Sequence, residues 1–249
     1  GDEVEKLNDF MRRERETLRL AGSHPNIPDY RGSFTLEKAD LPDPVQIIAM
    51  EYLDMPNIAK RIAKGERISE DEAKIVLRDG ASALNHLHIG LPYQVLHRDV
   101  KPSNVHLNGK RAYVIDFDIV REGGDDSTSE TAISTFGYYP IDTFSGHHNP
   151  GQDLVALGNT TIAGILAKEI KDIRFEQGKY GLEQVKVDGL PVSAKIRDYL
   201  AKIIAPQGKR FQSAREALEG LERILGLPVA IQPKLAPVPA NSEGTGREA

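Results

Sequence analysis

Four polar side chains in the middle of the sequence have the types that phosphoryl transfer requires. Asp99, Lys101 and Asn104 lie in one short segment, and Asp116 follows it. A carboxylate can orient or deprotonate an attacking hydroxyl, and an ammonium group can neutralise charge on a transferred phosphate. Mg²⁺ prefers hard oxygen ligands, which Asn and Asp side chains supply. The four residues therefore predict a site for metal-assisted phosphoryl transfer.

The residues around these four form a longer pattern. Residues 97–104 read HRDVKPSN, and the apolar residues 113–115 lead into Asp116 and Phe117. This pattern resembles the catalytic loop and the magnesium loop of eukaryotic-type protein kinases. The lysine two residues after the aspartate resembles the serine/threonine class. Small-molecule phosphotransferases of the aminoglycoside type are a weaker match, because KPSN fits the protein-kinase loop better.

The resemblance implies a serine/threonine protein kinase that uses ATP and Mg²⁺ and acts on a protein substrate bearing Ser or Thr. It implies that Asp99 is the catalytic base and that Lys101 is the cation beside the transferred phosphate. It also implies that Asn104 and Asp116 are the metal ligands, so that Asp116 contributes to nucleotide binding.

The resemblance extends to the N-terminal part of the chain. Glu14 matches the helix residue that pairs with the ATP-anchoring lysine, and Glu16 is the alternative if the helix is shifted. The segment VQIIAMEYLD resembles the hinge that binds adenine. There Met50 would be the gatekeeper, and Glu51 and Leu53 would present backbone groups to adenine. A plain core strand would show the same apolar run.

Three further positions follow from the same resemblance. Thr135 is expected to hydrogen-bond toward the catalytic loop from the substrate side. Asp153, on a central buried helix, would bond the backbone of residues 97–98. His106 stands where the family places the residue beneath adenine, and it is either a ring that stacks on adenine or a half-exposed strand residue.

The sequence also departs from the family pattern. No Gly-rich loop is present, and no lysine on a separate strand precedes Glu14, which implies an incomplete small lobe. Both a piece of a longer protein and a reduced kinase fold explain this departure. Asp118 stands where the family has a glycine. Asp142 stands where the family has an acid with a longer side chain, so we expect the ion pair between Asp142 and Arg210 to be lengthened or lost. We expect weak ATP binding by these residues, and a pseudokinase interaction module is the alternative function.

Control of activity is predicted around the segment between Asp116 and Thr135. Kinases with an arginine at the position of Arg98 often neutralise it with a phosphorylated side chain, which orders the loop. Thr128 and Thr131 are the expected phosphorylation sites. An unmodified, solvated loop is the alternative.

Composition restricts the classes of partner. The chain has 249 residues, a net charge of −5 and no Cys. This charge balance gives no basic field for nucleic acid, so no nucleic-acid partner is expected. No apolar run approaches the length of a membrane span. The absence of Cys is compatible with the cytosol, and we expect a cytoplasmic protein.

The elements that must position these residues can be outlined from the hydrophobic pattern. The sequence predicts an α+β, protein-kinase-like fold: a partial small lobe over residues 1–53, a mainly helical large lobe over 54–226, and a disordered tail over 227–249. Capping-box patterns begin two helices, at Ser69 and Ser213. The predicted elements are a helix over 3–22, strands over 30–34 and 45–52, a hairpin over 104–115, and helices from residue 69 and over 153–168, 193–204 and 214–225.

Overall fold

The computed structural model describes residues 15–36, 45–116, 137–145, 148–179 and 183–228. A small two-stranded antiparallel sheet precedes a largely helical body, and a second sheet of the same kind lies between helices of that body. The elements in chain order are α1 (residues 15–21), β1 (Tyr30–Leu36), β2 (Val45–Met50), α2 (Ile58–Ala63), α3 (Glu70–Asn85), β3 (Val105–Leu107), β4 (Ala112–Val114), α4 (Pro150–Leu166), α5 (Ile170–Glu176), α6 (Ala194–Ile203) and α7 (Ala214–Leu225). Among the described residues, no helix is long and apolar enough to cross a membrane.

The first sheet pairs β1 with β2, as the apolar pattern predicts. β1 extends two residues beyond the predicted end, and β2 ends at Met50, two residues before the predicted end. A register irregularity lies between Tyr30 and Gly32, where Gly32 has a φ of 151°. The second sheet is the predicted hairpin of β3 and β4. Gly109 in its turn has a φ of 79°, a conformation that costs glycine little.

The core lies between α3 and α4, and glycines allow the elements around α4 to approach closely. A Cβ added to Gly80 on α3 would lie 2.6 Å from a methyl carbon of Leu157 on α4. A Cβ at Gly158 would lie 2.6 Å from Ile204, and one at Gly164 would lie 2.9 Å from Ile68. A side chain at any of these three positions would therefore force a neighbouring residue to move.

Some local predictions require correction. The central helix begins at Pro150, three residues before the predicted start, and α5 was not predicted. The capping box at Ser69 forms in full, with reciprocal hydrogen bonds between Ser69 and Glu72. At Ser213 only half of the predicted box forms. The Glu216 carboxylate accepts from the backbone N–H of Gln212, one residue before the cap.

The segment between α1 and β1 is attached to the helical body by polar contacts. The hydroxyls of Thr17 and Tyr93 are 2.6 Å apart. The Asn26 side chain donates to the Ala112 carbonyl at 2.9 Å, and the Asn26 carbonyl accepts from the Val114 N–H at 2.9 Å. This residue therefore extends the second sheet with both its backbone and its side chain.

A buried pair of histidines lies at the same junction. The rings of His24 and His86 stack with centroids 5.0 Å apart, and both side chains are buried. Burial, together with repulsion from His86, lowers the pKa of His24 from 6.5 to about 4. The folded protein therefore binds fewer protons than the unfolded chain between these two values.

This difference predicts a loss of stability in mild acid. The free energy of unfolding should fall as the pH drops from about 6.5 to about 4, by up to ~3 kcal/mol from His24. Urea unfolding at several pH values measures this slope, and His24→Gln should flatten it. An equal slope in the wild type and the variant would show that His24 does not titrate as inferred.

Candidate active site

The loop of residues 97–104 is held in place by the buried carboxylate of Asp153 on α4. Oδ2 accepts from the backbone N–H of His97 at 2.9 Å and from Nε2 of His88 at 2.8 Å. Oδ1 accepts from the backbone N–H of Arg98 at 2.9 Å and from the Tyr139 hydroxyl at 2.8 Å. Burial alone would raise the pKa of Asp153, but its hydrogen bonds with His88 and His97 lower it to about 2.

Two residues of the site have left-handed backbone conformations. Arg98 has a φ of 59° and Asp116 a φ of 60°. Such a conformation costs a residue with a Cβ roughly 1 kcal/mol or more, so the surrounding contacts must compensate for it. The hydrogen bond from the Arg98 N–H to Asp153 is one such contact.

Asp99, Lys101 and Asn104 form one contact cluster, as their spacing predicts. Nζ of Lys101 lies 2.8 Å from Oδ2 of Asp99. The side-chain amide of Asn104 donates to the same oxygen at 2.9 Å and to the Asp99 backbone carbonyl at 2.9 Å. Asp99 and Asn104 are buried, and Lys101 is partly exposed. The cluster thus presents a positioned carboxylate with a cation beside it.

The hairpin brings Asp116 next to this cluster. The backbone N–H of Ile115 donates to the Asn104 carbonyl at 3.0 Å, so the residue before Asp116 is bonded to Asn104. The Asn104 NH₂ group is directed at Asp99, and its Oδ1 accepts from the Ser103 hydroxyl at 3.0 Å. Asp116 is exposed. An amide oxygen and an exposed carboxylate are a donor set that fits Mg²⁺, which binds few protein ligands and retains several waters.

A metal cage made of protein side chains alone is not found in the described ranges. No three His, Asp or Glu side chains there are grouped closely enough to hold an ion. Asn104 and Asp116 are only two donors, so they would leave the other positions around an ion to waters or phosphate oxygens.

The segment predicted as a hinge follows directly from β2. Met50 ends the strand and is 43% exposed, while Glu51 and Leu53 are partly buried. The backbone N–H of Glu51 donates to the Asp29 carbonyl at 2.8 Å, and the Asp29 N–H donates to the Glu51 carboxylate at 3.2 Å. These bonds fix the direction in which the chain leaves the first sheet.

His106 lies in the centre of β3 and is half-buried. Its Nδ1 is 3.0 Å from the carbonyl oxygen of Met55, which requires Nδ1 to carry the proton. Burial lowers the pKa of His106, so the ring is neutral near pH 7. Of the two interpretations of His106, this geometry matches the half-exposed strand residue. Stacking of its ring on adenine stays a prediction.

The ion pair between Asp142 and Arg210 is formed, and the prediction that it would be lengthened or lost is wrong. The Arg210 guanidinium donates to both carboxylate oxygens, at 3.0 and 2.6 Å. Gln152 donates to the same carboxylate at 3.2 Å. The shorter side chain of Asp142 suffices because Arg210 is fully buried beside α4, where Gly151 lets it approach.

Several predicted site residues lie outside the described part of the chain. They are Glu14, Asp118, Thr128, Thr131 and Thr135, whose roles stay predictions. Glu16 is described, and it pairs with Arg19 at 2.7 Å on the helix surface.

Sequence reasoning missed two residues of the site, His88 and Tyr139. Both donate to Asp153, and both are buried. Their spacing to Asp153 is 65 and 14 residues, so no local pattern marks them. The adjacent Tyr138-Tyr139 pair was the only signal, and it does not reveal which hydroxyl faces the loop.

Comparison with known proteins finds protein kinases among the proteins to which this chain is similar. Serine/threonine-protein kinase PknB of Mycolicibacterium smegmatis is 27% identical over 231 residues, which cover 86% of this chain and 36% of that protein. Wall-associated receptor kinase-like 1 of Arabidopsis thaliana is 27% identical over 210 residues, covering 74% of this chain and 29% of that protein. An L-type lectin-domain containing receptor kinase of Arabidopsis thaliana, I.1, is 32% identical over 117 residues, covering 45% and 17%.

The matched residues thus span between 17% and 36% of the length of these curated relatives. The family model described as "Protein kinase domain" matches residues 2–207. The described residues form an α+β fold, in which a two-stranded sheet of the small lobe is followed by a helical large lobe. The chain belongs to the protein kinase domain family.

Proposed function

We propose that this chain is the catalytic region of a serine/threonine protein kinase, which transfers the γ-phosphoryl group of ATP to a protein hydroxyl. The observation that carries the proposal is the cluster in which Lys101 and Asn104 both contact Oδ2 of Asp99. The similarity to the serine/threonine-protein kinase PknB supports the substrate class. The proposed setting is the cytoplasm.

The side chains of the cluster have separate tasks in this mechanism. Asp99 orients the substrate hydroxyl and accepts its proton as the hydroxyl oxygen bonds to the γ-phosphorus of ATP and the bond from that phosphorus to the oxygen of the leaving ADP breaks. Lys101, 2.8 Å from Asp99, supplies positive charge beside the transferred group. Asn104 and Asp116 would hold Mg²⁺ through their side-chain oxygens. When bound, Mg²⁺ neutralises charge on the phosphate oxygens.

The nucleotide base is assigned to the segment after β2. The backbone groups of Glu51 and Leu53 bind adenine, Met50 lies behind it, and His106 lies beneath it. Glu14 is assigned as the partner of an ATP-anchoring lysine, and Thr135 as a substrate-side contact. Arg98 is assigned to receive a phosphate on the loop that holds Thr128 and Thr131.

A pseudokinase that serves as an interaction module is the second candidate. The observation that favours it is Asp118, which stands where the magnesium loop of the family has a glycine. In this case the large lobe would act as a docking surface without efficient ATP binding.

Phosphoryl transfer from radiolabelled ATP to casein in the presence of Mg²⁺ tests the proposal on the full-length protein. Asp99→Asn should lower transfer by at least ~100-fold because general-base catalysis contributes that much. It should leave the thermal shift produced by Mg·ATP unchanged. Asp116→Asn should abolish that shift, because a metal ligand is lost.

Asp198→Asn is the matched control, since Asp198 is an exposed carboxylate on α6. It should change neither quantity. A wild-type protein with neither transfer nor a Mg·ATP shift would favour the interaction module. An unchanged Mg·ATP shift in Asp116→Asn would contradict the assignment of the metal ligand.

A further inference from the structure

The hydroxyl group of Tyr139, which belongs to the segment of residues 137–142, contacts the catalytic loop of residues 97–104. It donates to Oδ1 of Asp153 at 2.8 Å and accepts from the backbone N–H of Val100 at 3.0 Å. Tyr139 is 8% exposed, and Val100 is fully buried. A buried hydroxyl without partners is unfavourable, so this one is retained with both its donor and its acceptor function used.

Val100 shares a peptide group with Asp99, and this peptide group is held at both of its polar ends. Its N–H donates to the Tyr139 hydroxyl at 3.0 Å. Its C=O, which belongs to Asp99, accepts from the Asn104 amide at 2.9 Å. A planar peptide group bonded at both ends cannot rotate about the chain without breaking one of the bonds. The backbone that carries the Asp99 carboxylate is therefore fixed by Tyr139 on one side and Asn104 on the other.

The tyrosine hydroxyl is suited to this position over a wide pH range. Burial and the neighbouring Asp153 carboxylate raise the pKa of Tyr139 well above 10. The phenol therefore keeps its proton and continues to donate to Asp153 while it accepts from Val100. A phenylalanine would retain the ring contacts and lose both hydrogen bonds.

We propose that Tyr139 is a positioning residue, which couples the order of residues 137–142 to the orientation of Asp99 through its hydrogen bonds to Val100 and Asp153. The part of this inference that concerns catalysis rests on the proposed function. Displacement of residues 137–142 would withdraw the hydroxyl and release the peptide group between Asp99 and Val100. The Asp99 carboxylate is therefore correctly placed only while residues 137–142 are ordered.

The neighbouring Tyr138 provides a matched control. It is also buried, but its hydroxyl donates to the Glu169 carboxylate at 2.8 Å, away from the catalytic loop. Tyr138→Phe therefore removes a buried hydroxyl of the same type from the same segment without removing the bond to Val100.

Amide hydrogen exchange in the full-length protein, resolved by NMR, tests the coupling directly. Tyr139→Phe should accelerate exchange of the Val100 amide by about 10-fold relative to the Leu218 amide of α7, because one buried hydrogen bond is lost. Tyr138→Phe should leave this ratio unchanged. In the transfer assay, Tyr139→Phe should lower kcat by about 10-fold with an unchanged KM for ATP.

An unchanged Val100 ratio in folded Tyr139→Phe would overturn the proposal, and so would an equal acceleration in Tyr138→Phe. If Tyr139→Phe does not fold, Tyr139→Leu is measured in its place with the same expected ratio. The exchange ratio is measured without turnover, so it decides the coupling even if the wild type transfers no phosphate. Accelerated exchange with an unchanged kcat would overturn the role in catalysis.

Discussion

Replacing Asp153 by Ala should lower the free energy of unfolding by about 4 kcal/mol or more. The substitution leaves four donors, three of them buried and one partly buried, without their acceptor: two backbone N–H groups, the His88 ring and the Tyr139 hydroxyl. Each buried donor that loses its partner costs roughly 1–3 kcal/mol, less whatever water can enter the site. Urea unfolding at pH 7 measures the change.

The loss should exceed a general effect of removing a carboxylate from a helix. Asp198→Ala, at an exposed position on α6, is the control and should change stability by less than ~0.5 kcal/mol. Asp153→Asn should lie between the two, because its amide retains one acceptor oxygen for the donors at this site. A loss below ~1 kcal/mol in Asp153→Ala would contradict the view that this carboxylate holds the loop.

Replacing Asp142 by Ala should lower the free energy of unfolding by about 3–5 kcal/mol, because it leaves the buried guanidinium of Arg210 without a counter-ion. The Arg210 side chain has no exposed surface, and both of its terminal nitrogens donate to Asp142. Burial acts to raise the pKa of Asp142, but the hydrogen bonds from Arg210 and Gln152 lower it overall. The ion pair is thus present at neutral pH.

A double-mutant cycle separates the ion pair from the packing. Arg210→Met removes the charge and keeps an unbranched side chain, and we expect the double variant with Asp142→Ala to be more stable than the single variant Asp142→Ala. Purely additive losses would contradict a coupled pair. Asp142→Glu should retain most of the stability, because it preserves the charge.

The catalytic loop illustrates how much could be predicted from sequence. Asp99, Lys101 and Asn104 are close in sequence, so a short loop suffices to bring them together, and their cluster forms as predicted. The link from Asp153 to residues 97 and 98 was also predicted, although only through the resemblance to the kinase family. The hairpin that leads to Asp116 was predicted over residues 104–115, and its turn contains Asn108-Gly109, a pair that favours tight hairpin turns.

The predictions that failed concern one interaction between distant segments and one local helix cap. Side-chain length suggested a weakened pair between Asp142 and Arg210, which are separated by 68 residues. Arg210 is buried next to Gly151 on α4, where an added Cβ would lie 3.1 Å from its Nε, and in this position it meets both oxygens of Asp142. The Glu216 carboxylate accepts from the backbone N–H of Gln212, one residue before Ser213, because the geometry of a helix cap depends on the path of the preceding chain.

The sequence by itself determined the kinase family, the order of most elements and the cluster around Asp99, because these follow from local spacing and from periodic burial. The tertiary structure alone decided which hydroxyl reaches Val100, that His88 binds Asp153, and that Arg210 meets Asp142 on both oxygens. A buried polar group needs a hydrogen-bond partner, but differences of tenths of an ångström in helix packing decide which partner lies within reach. Residue types along a chain do not contain that choice.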